Sequence, residues 1–428
     1  AGEPSNIPPG KAVVFTHTTV VTGDANKAPI RDVALAVKDN LIAAIGPTDE
    51  VLKQFPGAEV IDGKYKALLP GLINCHAHLS AAVARGFNED FGFPNRAGLN
   101  VWPEALVSGE ERALMSVMAA LHSIRTGTTT VMEYTRNIAG EANELAKTGV
   151  RWVFAEGVND RIDADVMSPE VFEKSTTPKF STHQREEGMK RIDDLFSKWH
   201  NKNNGRVQVF PAVVHTENTS PELLKAVREY AEKHNVGYTI HLNQTHAEIN
   251  YMQKFHNARP AEYLYRHDFL GPLLVAAHAR YVDADEIAML GKTKTIISHQ
   301  AAMAANRGVS PPIPALRDAG CPICLGTDNN NNDMYAVMKV AMLTERIKRS
   351  DDHPGMLPQP EDILRDATLG GAHAIRQADQ LGSLEVGKKA DIIVLNTKQP
   401  YLIPSGRILS AWMHNGMASD VESLMIDG

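Results

Sequence analysis

Gly71-Leu72-Ile73-Asn74-Cys75-His76-Ala77-His78 is the stretch from which the rest of this chain is read. An apolar run from Ala67 to Ile73 ends in two histidines separated by one residue. Alternate side chains of a β-strand point to the same face, so His76 and His78 project together and Ala77 does not. Two imidazoles side by side at the end of a buried strand are half of a metal site.

From residue 67 onward, short apolar runs alternate with amphipathic stretches. The runs are Ala67–His78, Thr128–Glu133, Val150–Val158, Val207–His215, Gly237–His241, Leu273–His278, Thr293–His299 and Pro322–Asp328. Helical patterns fall between them over Glu110–Arg125, Gln184–His200, Pro221–His234, Asp283–Leu290 and Pro311–Ala319. Eight strand candidates, each followed by helix or loop, predict an α/β chain built as a (β/α)8 barrel. A doubly wound sheet is the alternative, but no glycine-rich phosphate turn supports it. Residues 13–62 read as short strands punctuated by Gly23-Asp24 and Gly46-Pro47. Glu361–Ile375 reads as a helix, and Leu381–Leu395 returns to β character. The two β-rich ends are expected to pair beside the barrel. The expected domains are 1–66, 67–380 and 381–428, the first and last forming one unit.

The 428 residues are 43% hydrophobic, enough for a barrel with a smaller domain. The net charge of −7 is spread along the chain. No basic stripe with interleaved aromatics occurs, which argues against nucleic acid as a partner. No apolar run reaches the ~20 residues of a spanning helix, which argues against a membrane. Ala1-Gly2-Glu3-Pro4 does not open a signal peptide, although the missing initiator Met points to a trimmed start. Three cysteines make no disulfide framework and fit a reducing, cytoplasmic setting. Cys321-Pro322-Ile323-Cys324 lies in an apolar strand run and reads as core packing.

The active site of such a barrel lies at the C-terminal ends of its strands. Those ends carry His76 and His78, Glu133, His215, His241 followed by Gln244, His278, His299, and Asp328 followed by Asn329 to Asn332. A lone histidine at a strand end is more often a satisfied polar residue than a ligand. Six of the chain's 17 histidines at one rim change that weighing. Catalytic zinc and its relatives take three or four N/O ligands, and His76, His78, His241 and Asp328 would supply four. Such a metal brings the pKa of bound water toward ~7, and Asp328 or His278 would accept the proton. His215 reads mainly as a rim residue, with substrate contact as its functional alternative. His183, His246, His256 and His373 read as structural or solvated. Cys75 faces away from the paired histidines. Asn329 is a candidate for contact with substrate or with a ligand. Phe87, Phe91, Phe93 and Trp102 form either a lid or a packing cluster, with Phe93 and Trp102 the candidates for substrate contact.

These residues resemble the amidohydrolase superfamily, in the branch of guanine and cytosine deaminases and triazine hydrolases. The matching pieces run in order through Pro70–His78, Gly127–Val131, His241, His278, Leu325–Asp328 and Gly382–Ile393. The resemblance implies a distorted (β/α)8 TIM barrel with a small β-sandwich from both termini, its C-terminal part incomplete. It implies one divalent metal on His76, His78, His241 and Asp328, zinc foremost, with cobalt, iron and manganese admitted. His278 would contact the metal water or the substrate. No lysine ends strand four, which favours one metal over two. A barrel kept only as a scaffold would have lost a ligand, and none of these positions is lost.

Two departures stand out. Gln244 occupies the place where the deaminases carry a glutamate that shuttles a proton to the ring nitrogen, and an amide cannot do so. His299-Gln300-Ala301 replaces the common His-Cys-Pro. The expected reaction is therefore hydrolysis of a small neutral amide, urea, carbamate or thiocarbamate. Gln244 would donate to the oxyanion, and His299 would lie in the catalytic group. This looks most like phenylurea hydrolases and molinate hydrolase, and so like xenobiotic degradation. The alternative is deamination or dechlorination of an N-heterocycle. A small molecule is the expected partner, in a dimeric or tetrameric homo-oligomer.

Overall fold

The computed structural model describes residues 10–91, 103–162, 176–329, 331–350 and 356–428. Near the N-terminus lie β1 (Ala12–Val20), β2 (Ile30–Lys38), β3 (Leu41–Gly46), β4 (Glu59–Asp62) and β5 (Lys66–Pro70). The barrel strands are β6 (Leu72–Ala77), β7 (Thr128–Thr135), β8 (Arg151–Val158) and β9 (Val207–His215). They continue as β10 (Tyr238–Leu242), β11 (Leu274–His278), β12 (Ile296–His299) and β13 (Ile323–Leu325). The chain ends with β14 (Ile392–Asn396) and β15 (Val421–Met425).

Strands β6 to β13 form one sheet in sequential order, with every pair parallel. All six residues of β6 are buried, as expected for a parallel strand covered on both faces. A parallel bridge from Ala77 to Asp328 draws the two edge strands together. The Asp328 amide donates to the His76 carbonyl at 2.8 Å. The sheet is thus a distorted (β/α)8 barrel.

The ends of the chain meet in a seven-stranded sheet of order β15-β14-β5-β1-β2-β3, with β4 on β1. β5 runs parallel to β1 and antiparallel to β14, so it joins the N- and C-terminal halves. The apolar run expected as one strand is therefore two. Lys66–Pro70 belongs to the terminal sheet and Leu72–Ala77 to the barrel. The chain changes sheets at Gly71, where a Cβ would lie 2.2 Å from the Thr129 hydroxyl. Both halves are apolar because both are buried, so hydrophobicity carries no mark of the junction.

Helices between the strands follow their local signals. Pro221–His234 starts behind the Ser220 cap, whose hydroxyl accepts from the Leu223 amide, and ends at left-handed Asn235. Gly109–Arg125 starts with a capping box of Ser108 and Glu111. One expectation needs correction. The helix read over Glu361–Ile375 is two helices, Pro360–Ala367 and Leu369–Ala374, broken at Thr368. Of the β-rich stretch Leu381–Leu395, the strand expected at Ala390–Leu395 is β14, and the residues before it bond to loops, as when the Ala390 amide donates to the Asn40 carbonyl. Cys75, Cys321 and Cys324 are free and buried in the largest hydrophobic cluster. No helix among the described residues is long and apolar enough to cross a membrane.

Candidate metal centre

His76 and His78 leave the end of β6 with ring centroids 4.7 Å apart. Parallel pairing brings His241 from β10 and His278 from β11 to the same rim, with ring centroids 5.0 and 5.3 Å from His76. Asp328 arrives from the turn after β13. Its placement depends on Gly326, where a Cβ would sit 2.8 Å from the His76 backbone nitrogen. Asn74 ties the same turn to β6. Its side-chain nitrogen donates to the Thr327 hydroxyl at 2.7 Å, and its side-chain oxygen accepts from the amides of His76 and Thr327. Two non-glycine residues here take left-handed backbone, His278 at φ 81° and Asp328 at φ 61°. Such conformations concentrate where the surroundings fix a functional group.

Ligand atoms of His76, His78 and His241 lie within 4.8 Å of one another, as do those of His76, His278 and Asp328. Asp328 Oδ1 is 3.5 Å from His78 Nε2 and 3.9 Å from His76 Nε2, and its Oδ2 is 3.7 Å from His278 Nε2. Outer contacts fix two tautomers. His78 Nδ1 meets the Tyr134 carbonyl, and His241 Nδ1 meets the Val214 carbonyl at 2.6 Å. A carbonyl only accepts, so each Nδ1 carries the proton and each Nε2 offers a lone pair. Those two Nε2 atoms are 3.3 Å apart. Lone pairs so placed repel unless a cation sits between them. A tetrahedral zinc site with ~2.0–2.1 Å bonds puts its nitrogens about 3.3 Å apart.

His76 and His278 are buried with all four ring nitrogens unpartnered, a costly arrangement without a ligand. Burial, reinforced by neighbouring imidazoles, holds His76, His241 and His278 well below the usual histidine pKa. They are therefore neutral, the form that binds metal. The donor set fits a divalent transition metal.

A cavity of about 370 Å³ opens over the cluster. His78, His215, His241, Gln244, Asp328 and Asn329 line it, so these expected residues come together. His215 stacks on His241 at 4.7 Å. The Gln244 side-chain oxygen has no partner. His299 is buried but lines neither this cavity nor a ligand group among the described residues. Burial drives its pKa down to about 3. Phe87 is exposed. Phe93, Trp102 and the Phe91 side chain lie outside the described residues.

Several site residues were not foreseen. Arg280, Arg307 and Tyr281 line the cavity, and so does His246, which was read as structural or solvated. Tyr134 stacks on His241 at 4.7 Å. The two arginines put positive charge on the cavity wall. Arg280 follows His278 by two residues, so strand-end proximity marks it. Arg307 is brought in by the Asn88 and Glu89 carbonyls, to which its guanidinium donates.

The amidohydrolase family pattern matches residues 67–428. The chain belongs to the amidohydrolase family. It is a hydrolase, and cleavage of C–N bonds is consistent with the activities named for its relatives. An imidazolonepropionase-like composite domain pattern of bacteria also matches residues 34–58. The chain is 30% identical over 427 residues to a 5'-deoxyadenosine deaminase of Methanobrevibacter smithii, covering 97% of this chain and 92% of that one. It is 28% identical over 423 residues to a 5-methylthioadenosine/S-adenosylhomocysteine deaminase of Syntrophobacter fumaroxidans, covering 97% and 92%. Its fold matches a zinc-bound adenosine deaminase from Xanthomonas campestris with TM-score 0.86 at 23% identity, over 98% of this chain and 93% of that one. Relatives that act on nucleosides do not support the expected role in xenobiotic degradation.

Proposed function

We propose that this amidohydrolase is a hydrolytic deaminase of an aromatic N-heterocycle, with one divalent ion, zinc foremost, held by His76, His78, His241 and Asp328. The similarity to nucleoside deaminases over nearly the whole chain supports the reaction class. That similarity carries the reading, and Gln244 stands at the cavity wall with its side-chain oxygen unpartnered. A carboxamide offers an acceptor and a donor side by side. That pattern pairs with an exocyclic amine and the adjacent ring nitrogen.

When bound, the ion polarises water and lowers its pKa toward ~7. Asp328 takes the proton and carries it toward the leaving amine. His278, 3.7 Å from the other carboxylate oxygen, stands by as a second proton path. Gln244 holds the ring nitrogen by a hydrogen bond but does not protonate it, so proton traffic runs on the Asp328–His278 side. Arg280 and Arg307 add positive charge to the cavity wall.

Amide, urea or thiocarbamate hydrolysis is the second reading, and the same residue favours it. The Gln244 side-chain nitrogen can donate to a carbonyl oxygen as charge develops there. One assay separates the two. Metal-loaded protein is offered aminopurine nucleosides, ureas and thiocarbamates, and ammonia, amine and thiol are quantified. Ammonia from a nucleoside supports deamination. Turnover of carbonyl compounds alone sinks it.

A further inference from the structure

We propose a second divalent-cation site, formed by His215, Glu217 and Glu248 beside the first centre. His215 ends β9, and Glu217 follows in the short turn Thr216–Asn218. Glu248 lies in the first turn of the helix His246–His256. One ring nitrogen of His215 and one carboxylate oxygen from each glutamate lie within 4.8 Å of one another. Both glutamates are only 1% exposed. None of their four carboxylate oxygens has a hydrogen-bond partner, and neither does His215 Nδ1.

Two carboxyl groups this close in a dry interior must take up a proton or hold a cation. The chain shows what proton uptake looks like in a second buried pair. Glu133 and Glu141 lie close enough to interact as a carboxyl pair, which pushes Glu133 well above the usual range together with its burial. Glu133 also accepts from the Leu79 amide at 3.2 Å, and Glu141 from the Ser116 hydroxyl at 2.7 Å. Glu217 and Glu248 have no hydrogen bond between them. Burial pushes both carboxyls above their usual range, with Glu217 and Glu286 pushing Glu248 further; only the Glu217 amide, the Arg161 guanidinium and the backbone amides of Asn243 and Gln244 oppose this. No ion pair within 4.0 Å joins Arg161 to Glu217 among the described residues. An imidazole nitrogen with two carboxylates suits manganese, iron, cobalt or zinc, and two carboxylates neutralise a dication.

His215 is shared between the two regions. Its ring stacks on His241 at 4.7 Å and lines the 370 Å³ cavity. A cation on its far side fixes that ring and with it one wall of the cavity. The role is positioning, separate from the reaction proposed above.

The test counts metal, so it is independent of which substrate is turned over. Metal-free full-length protein is titrated with Co2+ and, separately, with Mn2+, and bound metal is quantified by mass spectrometry after gel filtration. Wild type is expected to hold two equivalents. Glu217→Gln and Glu248→Gln, both isosteric, are expected to hold one. His76→Ala, which disables the first centre, is expected to retain one. A wild type that saturates at one equivalent overturns the proposal whatever the variants do, and leaves the pair holding a proton. Two equivalents in wild type and also in both glutamine variants overturn it as well.

Discussion

The two ends of the barrel bury polar groups in opposite ways. At the start of β8, Arg151 is fully buried, and its guanidinium grips Asp391 through two hydrogen bonds of 3.0 Å. It adds a third to Asp427 at 3.2 Å. Asp391 in turn receives the Asp427 amide at 2.8 Å, so barrel, β14 and chain end are tied at one point. At the other rim, His76 and His278 are as deeply buried, yet none of their ring nitrogens has a partner. Paired ions hold the fold at one end, with only the Arg151 Nη1 left without a partner, and the unpartnered imidazoles at the other await a ligand. This agrees with the usual division between the stabilising bottom and the reactive top of such barrels.

That division breaks if the two ends respond alike to substitution. The largest effect is expected from His76→Ala, which should strip metal from the first centre and lower turnover at least about 10³-fold. Its urea midpoint should move little, as read by far-UV circular dichroism. Arg151→Met should do the reverse. Leaving Asp391 and Asp427 buried without their cation should cost about 3–5 kcal/mol of unfolding free energy. Turnover per folded molecule should persist. Loss of turnover in soluble, folded Arg151→Met would merge the two ends.

Within the upper rim, Gln244→Glu sharpens the picture. An acid at that position restores a proton carrier to the ring nitrogen, so ammonia release from an aminopurine should rise about 10²-fold. No rise, with carbamate hydrolysis falling, would favour the carbonyl reading instead.

The smallest effect concerns Glu156, also on β8. Burial pushes its carboxyl up to about 7, against the pull of Arg191. Its folded pKa thus exceeds its ordinary value, so the folded state binds more protons in between. The stability it contributes is complete below pH ~4.5 and is lost as pH rises toward 7. Melting temperatures from pH 4.5 to 7 should fall less steeply in Glu156→Gln than in wild type.

Much of the rim was legible from sequence because its signal is short-range. A period of two puts His76 and His78 together, and parallel strands of one barrel end on one side. That rule gathers His241, His278 and Asp328 without any knowledge of loops. It fails for His299, which also ends a strand yet lies outside the cavity and the ligand groups. Strand position says which end of the barrel a residue occupies, but not whether it faces the cavity. Gly71 shows the complementary limit. The change of sheet there follows from what packs on each half, and both halves are equally apolar.

The sequence by itself determined the barrel, the paired terminal strands and the gathering of histidines and Asp328 at one rim, while the family resemblance marked Gln244 as an amide in place of an acid. The barrel, the strands and the rim depend on periodicity and residue type, which are local. Only the tertiary structure decided that Arg280 and Arg307 give the cavity a cationic wall, and that Arg151 locks the far end to Asp391 and Asp427. It alone brought Glu217 and Glu248 to His215 with no hydrogen-bond partner on their carboxylate oxygens. Each of these joins residues from separate elements in a dry interior. There, unpaired charge is costly, and distance in space rather than in sequence sets the interaction.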